Sequence, residues 1–261
     1  MDDNQADGLP VHPRRAVVTG GGSGIGFAIA ERLAADGAGA LAVDIDPAGA
    51  ARLRQRGVEL VVADVAEPAY WQQVIRAADT RLGGLDLLVL NAAVPILEPD
   101  VISVAYERVR RAYAVNVEGV IHGLRAGVPL MEAAGGGDVV LVASLAGVMG
   151  YPDDPYYAMT KHAVVGLGLS VASSLQRRGV RLTIFCPGVV DTPLVPSEVR
   201  SAVLDAGLEL LSPADAAEHL LAALARGGTG RIWLSQAQLG LTEYVPARVQ
   251  LPRPTRARPR P

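Results

Sequence analysis

Short, largely uncharged runs of valine, leucine, isoleucine and alanine recur along the chain, separated by longer stretches whose apolar residues return at helical spacing. Residues 16–19, 40–43, 60–63, 85–90, 139–143 and 180–185 are runs of the first kind. They have strand length and lack the in–out alternation of a sheet with one wet face. Such runs suit strands covered on both faces, as in a parallel sheet. Between them, residues 24–35 follow a glycine cluster as a helix. Residues 68–82 read as a helix opened by Pro68, and 213–226 as an amphipathic helix with Ser212 at its N-cap. A long helical stretch runs from 101 towards 131, with Gly127-Val128-Pro129 as a candidate break. Another spans 157–178, and residues 231–234 form a candidate last strand.

Strands alternating with helices through right-handed crossovers give an α/β fold: a doubly wound, Rossmann-like parallel sheet in three α/β/α layers. A single domain is expected over 14–250. Residues 1–13 are polar, and 251–261 are rich in Pro and Arg; both read as solvated tails.

Composition narrows the partners. Half of the 261 residues are hydrophobic, enough for a sizeable core, and only 4% are aromatic. A net charge of −3 gives no electrostatic reason to expect nucleic acid. No uncharged apolar run reaches the ~18 residues of a membrane span. The opening Met1-Asp2-Asp3-Asn4 is the reverse of a signal peptide's basic-then-apolar start. The expectation is therefore a cytoplasmic protein with no membrane partner. Cys186 is the only cysteine, so no internal disulfide forms, and it reads as a small buried hydrophobe. His12, His122, His162 and His219 lack ligand spacing, and no metal is expected.

The first strand runs into Thr19-Gly20-Gly21-Gly22-Ser23-Gly24-Ile25-Gly26. Glycines there permit a tight turn and close approach of backbone to a pyrophosphate, which the following helix N-terminus attracts. Asp44 closes the second strand 18 residues after Gly26. A carboxylate at that place accepts hydrogen bonds from both adenosine ribose hydroxyls and repels a 2′-phosphate, so it favours NAD over NADP. No basic residue lies within the glycine turn to reverse that preference. Asp64 and Asn91 end the third and fourth strands, where ligands of open α/β sheets bind, and are expected at the adenine edge and the cofactor cleft.

Tyr157 and Lys161 stand four residues apart, one turn along a helix face. Of 24 basic residues, Lys161 is the only lysine. A nearby ammonium favours the phenolate, so the pair is expected to lower the tyrosine pKa and make it a base at neutral pH. Ser144 follows a buried strand, and its hydroxyl can donate to an oxygen on which charge develops.

The glycine turn, Asp44, Asn116, Ser144, Tyr157 and Lys161 together resemble the short-chain dehydrogenase/reductase family in its single-domain branch, over about residues 15–192. The resemblance implies direct hydride transfer without metal, with Tyr157 as general base or acid. Lys161 would hold the nicotinamide ribose, Ser144 would bind the reacting oxygen, and Asn116 would support a water leading from Lys161 to solvent. Gly20, Ser23, Gly24, Ile25 and Gly26 would hold the phosphates. Asp64 with Val65, and Asn91 with Ala92, would line the cofactor cleft. Pro187, Gly188, Val190 and Thr192 would cradle the nicotinamide end. Two departures stand out: Leu90-Asn91-Ala92-Ala93 replaces the family's Asn-Asn-Ala-Gly, and Met159-Thr160 replaces its commoner Ala-Ser.

The segments expected around the substrate, 94–97, 148–155 and 193–211, are rich in Val, Leu, Met and Pro. They favour an apolar secondary alcohol or ketone over a phosphorylated or carrier-bound substrate. The expected function is NAD-dependent oxidoreduction of such a compound by a homodimer or homotetramer. The alternatives are a natural-product tailoring ketoreductase and a non-catalytic NAD-binding regulatory protein.

Overall fold

The computed structural model describes residues 15–247; the tails expected at 1–13 and 251–261 lie outside them. The strands are β1 (Arg15–Thr19), β2 (Gly39–Asp44), β3 (Glu59–Val62), β4 (Leu87–Leu90), β5 (Gly137–Val142), β6 (Val180–Pro187), β7 (Arg231–Gln236) and β8 (Gly240–Tyr244). They form one sheet in the order β3-β2-β1-β4-β5-β6-β7-β8, all parallel except β8, which runs antiparallel along β7. The helices are α1 (Gly24–Ala35), α2 (Ala50–Gln55), α3 (Pro68–Ala77), α4 (Tyr106–Tyr113), α5 (Gly119–Ala133), α6 (Pro155–Gln176), α7 (Ser197–Asp205) and α8 (Pro213–Ala225).

Alternate residues of the parallel strands bury against opposite helix layers. Val17, Leu41, Leu88, Leu141 and Ile184 pack with Trp71 of α3, Met131 of α5 and Val164 of α6. Ala16, Val18, Val89, Val140 and Phe185 pack with Ile29 of α1 and Leu220 of α8. Both faces are apolar, which is why these strands show no alternation in sequence. The expected three-layer, doubly wound architecture is the one observed.

Three helical expectations need correction. The helix expected from 101 begins at Tyr106, because local side-chain bonds claim the preceding backbone: Asp100 Oδ1 accepts from Ile102 N at 2.9 Å and Glu98 Oε1 from Asp100 N at 3.1 Å. No break occurs at Gly127-Val128-Pro129. Pro129 lies inside α5 on its exposed side, where water can satisfy the carbonyl its ring deprives of a donor. The real irregularity is a π-helical turn, Ala114–Glu118, between α4 and α5. The third helix, α6, starts at Pro155 rather than 157, since Pro155 sits in the first turn and Asp154 caps it.

Three elements escaped the sequence reading, among them the six-residue α2, which buries only Leu53. The edge strand β8 mixes exposed and half-buried positions, and α7 buries none of its residues, so neither carries a clear apolar period.

Candidate active site

Strand order reverses between β1 and β4, which opens a crevice beyond their carboxyl ends. Two clefts of about 340 Å3 each meet there and share Ile25, Asn91, Ala93, Thr192 and Leu194.

The first cleft lies against the glycine turn. Gly20 and Gly24 have φ of +63° and +53°, a region that L side chains avoid. A Cβ on Gly26 would stand 2.2 Å from the Gly20 carbonyl oxygen, so the turn folds tightly under the start of α1. Ser23 is extended at the N-cap and its side chain makes no capping bond, leaving hydroxyl and helix amides turned to a ligand's use. Asp44 lines the same cleft. Its Oδ2 accepts from Gly22 N at 2.9 Å and its Oδ1 from Asp46 N at 3.0 Å, which fixes the carboxylate's direction. Asp64, Val65, Asn91, Ala92 and Thr192 also line it, whereas Gly26 contributes by packing alone.

Within this cleft two carboxamide and carboxylate groups are already engaged. Asp64 Oδ1 accepts from Ala66 N at 3.0 Å, and its Oδ2 pairs with Arg111 Nη1 at 2.8 Å. Asn91 Nδ2 donates to the Thr19 and Gly20 carbonyls at 2.8 and 3.3 Å, so it braces the glycine turn. Helix amides, an open glycine turn and a fixed carboxylate fit a dinucleotide's pyrophosphate and ribose diol.

The second cleft is lined by Ser144, Tyr157 and Lys161 together with Pro187, Gly188 and Val190. Ser144 leaves β5 in an extended conformation, and its Oγ accepts from Ala146 N at 3.1 Å. Lys161 is 2% exposed; its Nζ donates to the Val142 carbonyl at 2.9 Å and lies 5.6 Å from the Tyr157 ring centroid. Asn116 lines neither cleft. It sits 1% exposed in the π-helical turn, where Oδ1 accepts from Val94 N at 2.8 Å. Its Nδ2 donates to the Val94 carbonyl at 2.9 Å and to Thr160 Oγ1 at 3.0 Å, next to Lys161.

The electrostatics correct one expectation. Burial pushes the Tyr157 phenol above the ordinary tyrosine value, and the charge of Asp154 and the neighbouring Tyr151 push the same way. A hydrogen bond with Ser144 pulls it back only in part. At its present distance Lys161 does not lower the phenol as its spacing suggested, because desolvation dominates. Lys161 itself is lowered by burial to about 8, and the Cys186 thiol is pushed up to about 12 by the same cause. Cys186 is fully buried, as its composition-based reading held.

Four residues matter here that the sequence reading passed over. Thr19, 2% exposed, accepts from the amides of Asn91 and Ala92 at 2.9 and 3.1 Å and ties β1 to β4 beneath the cleft. Arg52 stacks 3.9 Å over Phe27 and donates to the Gly22 carbonyl at 3.1 Å, so a cation does reach the glycine turn from α2. Arg111 lines the first cleft and is paired there with Asp64. Asp154 clamps the loop before α4, with partners 57 and 58 residues away. None of these pairings is local, and no spacing rule finds them.

Comparison with known proteins gives a family match and several relatives. The family model for short chain dehydrogenase matches residues 14–202. A 2,5-dichloro-2,5-cyclohexadiene-1,4-diol dehydrogenase from Sphingobium indicum is 36% identical over 197 residues, covering 74% of this chain and 78% of the relative. Levodione reductase from Leifsonia aquatica is 32% identical over 216 residues, covering 80% and 79%. Among solved structures, 3-ketoacyl-(acyl-carrier-protein) reductase from Brucella melitensis, complexed with NADH, superposes with a TM-score of 0.81 at 30% identity, covering 87% and 98%.

Proposed function

This chain belongs to the short-chain dehydrogenase/reductase family, and on that premise we propose that it moves a hydride between NAD(H) and a neutral, apolar secondary alcohol or its ketone. The observation that carries the reading is the charge pattern of the second cleft. Among the described residues, the only charged ones lining it are Asp154 and Lys161, both buried. The Asp154 oxygens are taken up by backbone amides, and Lys161 donates to Val142. Among the described residues no cation faces the open part of the cleft, where Leu97, Met149, Val189 and Leu194 present apolar surface. An ionised substrate would lose its hydration there without recompense. The diol named for the Sphingobium relative is a neutral ring with carbinol carbons, the class such a cleft suits.

Gly20, Ser23, Gly24 and Ile25 would hold the cofactor's phosphates, and Asp44 its adenosine ribose; Pro187, Gly188, Val190 and Thr192 would border its nicotinamide end. NAD, when bound, supplies the hydride acceptor or donor. In alcohol oxidation the carbinol carbon gives up its hydride and the hydroxyl proton passes to Tyr157 Oη, leaving a carbonyl; reduction runs in reverse. Ser144 Oγ donates to the reacting oxygen as charge gathers on it. Lys161 Nζ would reach the nicotinamide ribose and anchor the cofactor beside Tyr157. Asn116 keeps Thr160 and the neighbouring turn of α6 in place, and by family analogy backs a proton path from Lys161. Asp44 supports NAD over NADP, since Arg52 is engaged with Phe27 and the Gly22 carbonyl.

The direct test is Tyr157→Phe. The variant should bind NAD with wild-type affinity, by fluorescence titration, and lose turnover by roughly a thousandfold or more. A variant with wild-type turnover would remove Tyr157 from the chemistry.

A further inference from the structure

Asp154 is a carboxylate, 1% exposed, beneath the substrate cleft. Its Oδ1 accepts from Tyr157 N at 3.2 Å, the bond an ordinary helix cap makes. Its Oδ2 does something a cap does not need: it accepts from the amides of Ile96 and Leu97, each at 2.7 Å. Bonds to a charged acceptor at this length are strong, and a buried carboxylate requires them.

The segment it holds is under backbone strain. Leu97, at φ +57°, is the one non-glycine residue among those described in the left-handed region. Leucine reaches that region at a cost in energy and stays only where its surroundings leave no alternative. Here the surroundings are visible. Ile96 is buried with Val109 and Ala112, its carbonyl bonds Arg108, and Val94 is pinned at both backbone groups by Asn116. Pro95 and Leu97 then face the cleft, and Leu97 is 44% exposed.

We propose that Asp154 is a positioning residue that locks the 95–97 wall of the substrate cleft to the first turn of the helix carrying Tyr157, and so sets how tightly substrate is held. One carboxylate registers both the wall and the base, three residues away, so substrate is pressed against Tyr157 by a surface that cannot drift from it. The proposal rests on reading this cleft as the substrate site.

The test is Asp154→Asn, with Asp153→Asn as control. Asp153 is exposed and accepts from neither loop amide. Asparagine keeps the shape but replaces one acceptor oxygen by a donor. Amide hydrogen exchange at residues 96 and 97 should accelerate roughly tenfold or more in Asp154→Asn. KM for the best neutral substrate should rise roughly tenfold while kcat changes less than about threefold. The control should change neither. Unchanged exchange, unchanged KM, or a fall confined to kcat would overturn the proposal.

Should Asp154→Asn fail to fold, Leu97→Gly takes its place. It relieves the strain and deletes the wall side chain, so KM should rise with kcat retained, and an unchanged KM would overturn the proposal. If the wild-type chain turns over no alcohol or ketone, the functional reading fails on its own. Exchange at 96 and 97 then decides whether Asp154 holds the wall.

Discussion

Replacing Lys161 by methionine should stabilise the ligand-free protein at neutral pH while abolishing its activity. Burial lowers the Lys161 ammonium from the ordinary lysine value of 10.5 to about 8. Each pH unit of lowering is worth ~1.4 kcal/mol, so holding the charge inside costs ~3 kcal/mol. The sign follows from proton linkage. Below about pH 8 folded and unfolded chains both carry the proton, and the full cost is present. Between about 8 and 10.5 the folded chain sheds its proton first, unfolding takes one up, and the cost disappears as pH rises. Methionine fills the same volume but orphans the Val142 carbonyl from this donor, a loss of ~1–2 kcal/mol at any pH. The net is a gain of ~1–2 kcal/mol near pH 7 that passes through zero to a loss of up to ~1 kcal/mol near pH 10, where part of the charge cost remains. Urea unfolding of wild type and Lys161→Met at the two pH values reads both. A variant less stable than wild type at neutral pH, or a difference that does not change sign, would refute the argument. Either result would mean that Lys161 is not held inside at a cost.

Three further outcomes are expected. Asp44→Ala should lower NAD affinity roughly tenfold or more and erode the preference over NADP, by titration of both cofactors; an unchanged ratio would detach Asp44 from the ribose. Thr19→Val removes the acceptor for two amides and should cost ~1–3 kcal/mol of stability, with weaker cofactor binding, measured by denaturant melts and titration. Because burial, Asp154 and Tyr151 push Tyr157 up, alcohol oxidation, which needs the phenolate, should quicken from neutral into alkaline pH. Ketone reduction, which needs the protonated phenol, should hold steady across neutrality. Paired pH–rate profiles check this, and an oxidation rate already flat at neutral pH would contradict it.

The fold was legible because its strands are covered on both sides. Val17, Leu88, Leu141 and Ile184 face one helix layer, while Val18, Val89, Val140 and Phe185 face the other. Uniform apolar runs are what that demands of a sequence. The glycine turn and Asp44 were legible for a related reason: each sits at a strand end, at a spacing the crossover helix dictates. Other features depend on contacts that local pattern does not encode. The start of α4 is decided by side chains such as Asp100 that compete with the helix for backbone amides. The π-helical turn around Asn116 leaves no mark in apolar period. The four-residue step from Tyr157 to Lys161 revealed the ammonium but not the burial that outweighs it. Arg52 at the glycine turn and Asp154 at the 95–97 loop are tertiary pairings, 30 and more residues apart.

The most direct test of the central claim is nicotinamide absorbance on the purified wild-type chain. Neutral apolar secondary alcohols and ketones would be offered with NAD(H) and, separately, with NADP(H), beside matched substrates carrying a carboxylate. Turnover of the neutral compounds with NAD(H), and little with the carboxylates or with NADP(H), is the expected result. Turnover of only the ionised substrates, or none at all despite bound cofactor, would contradict the reading of this cleft.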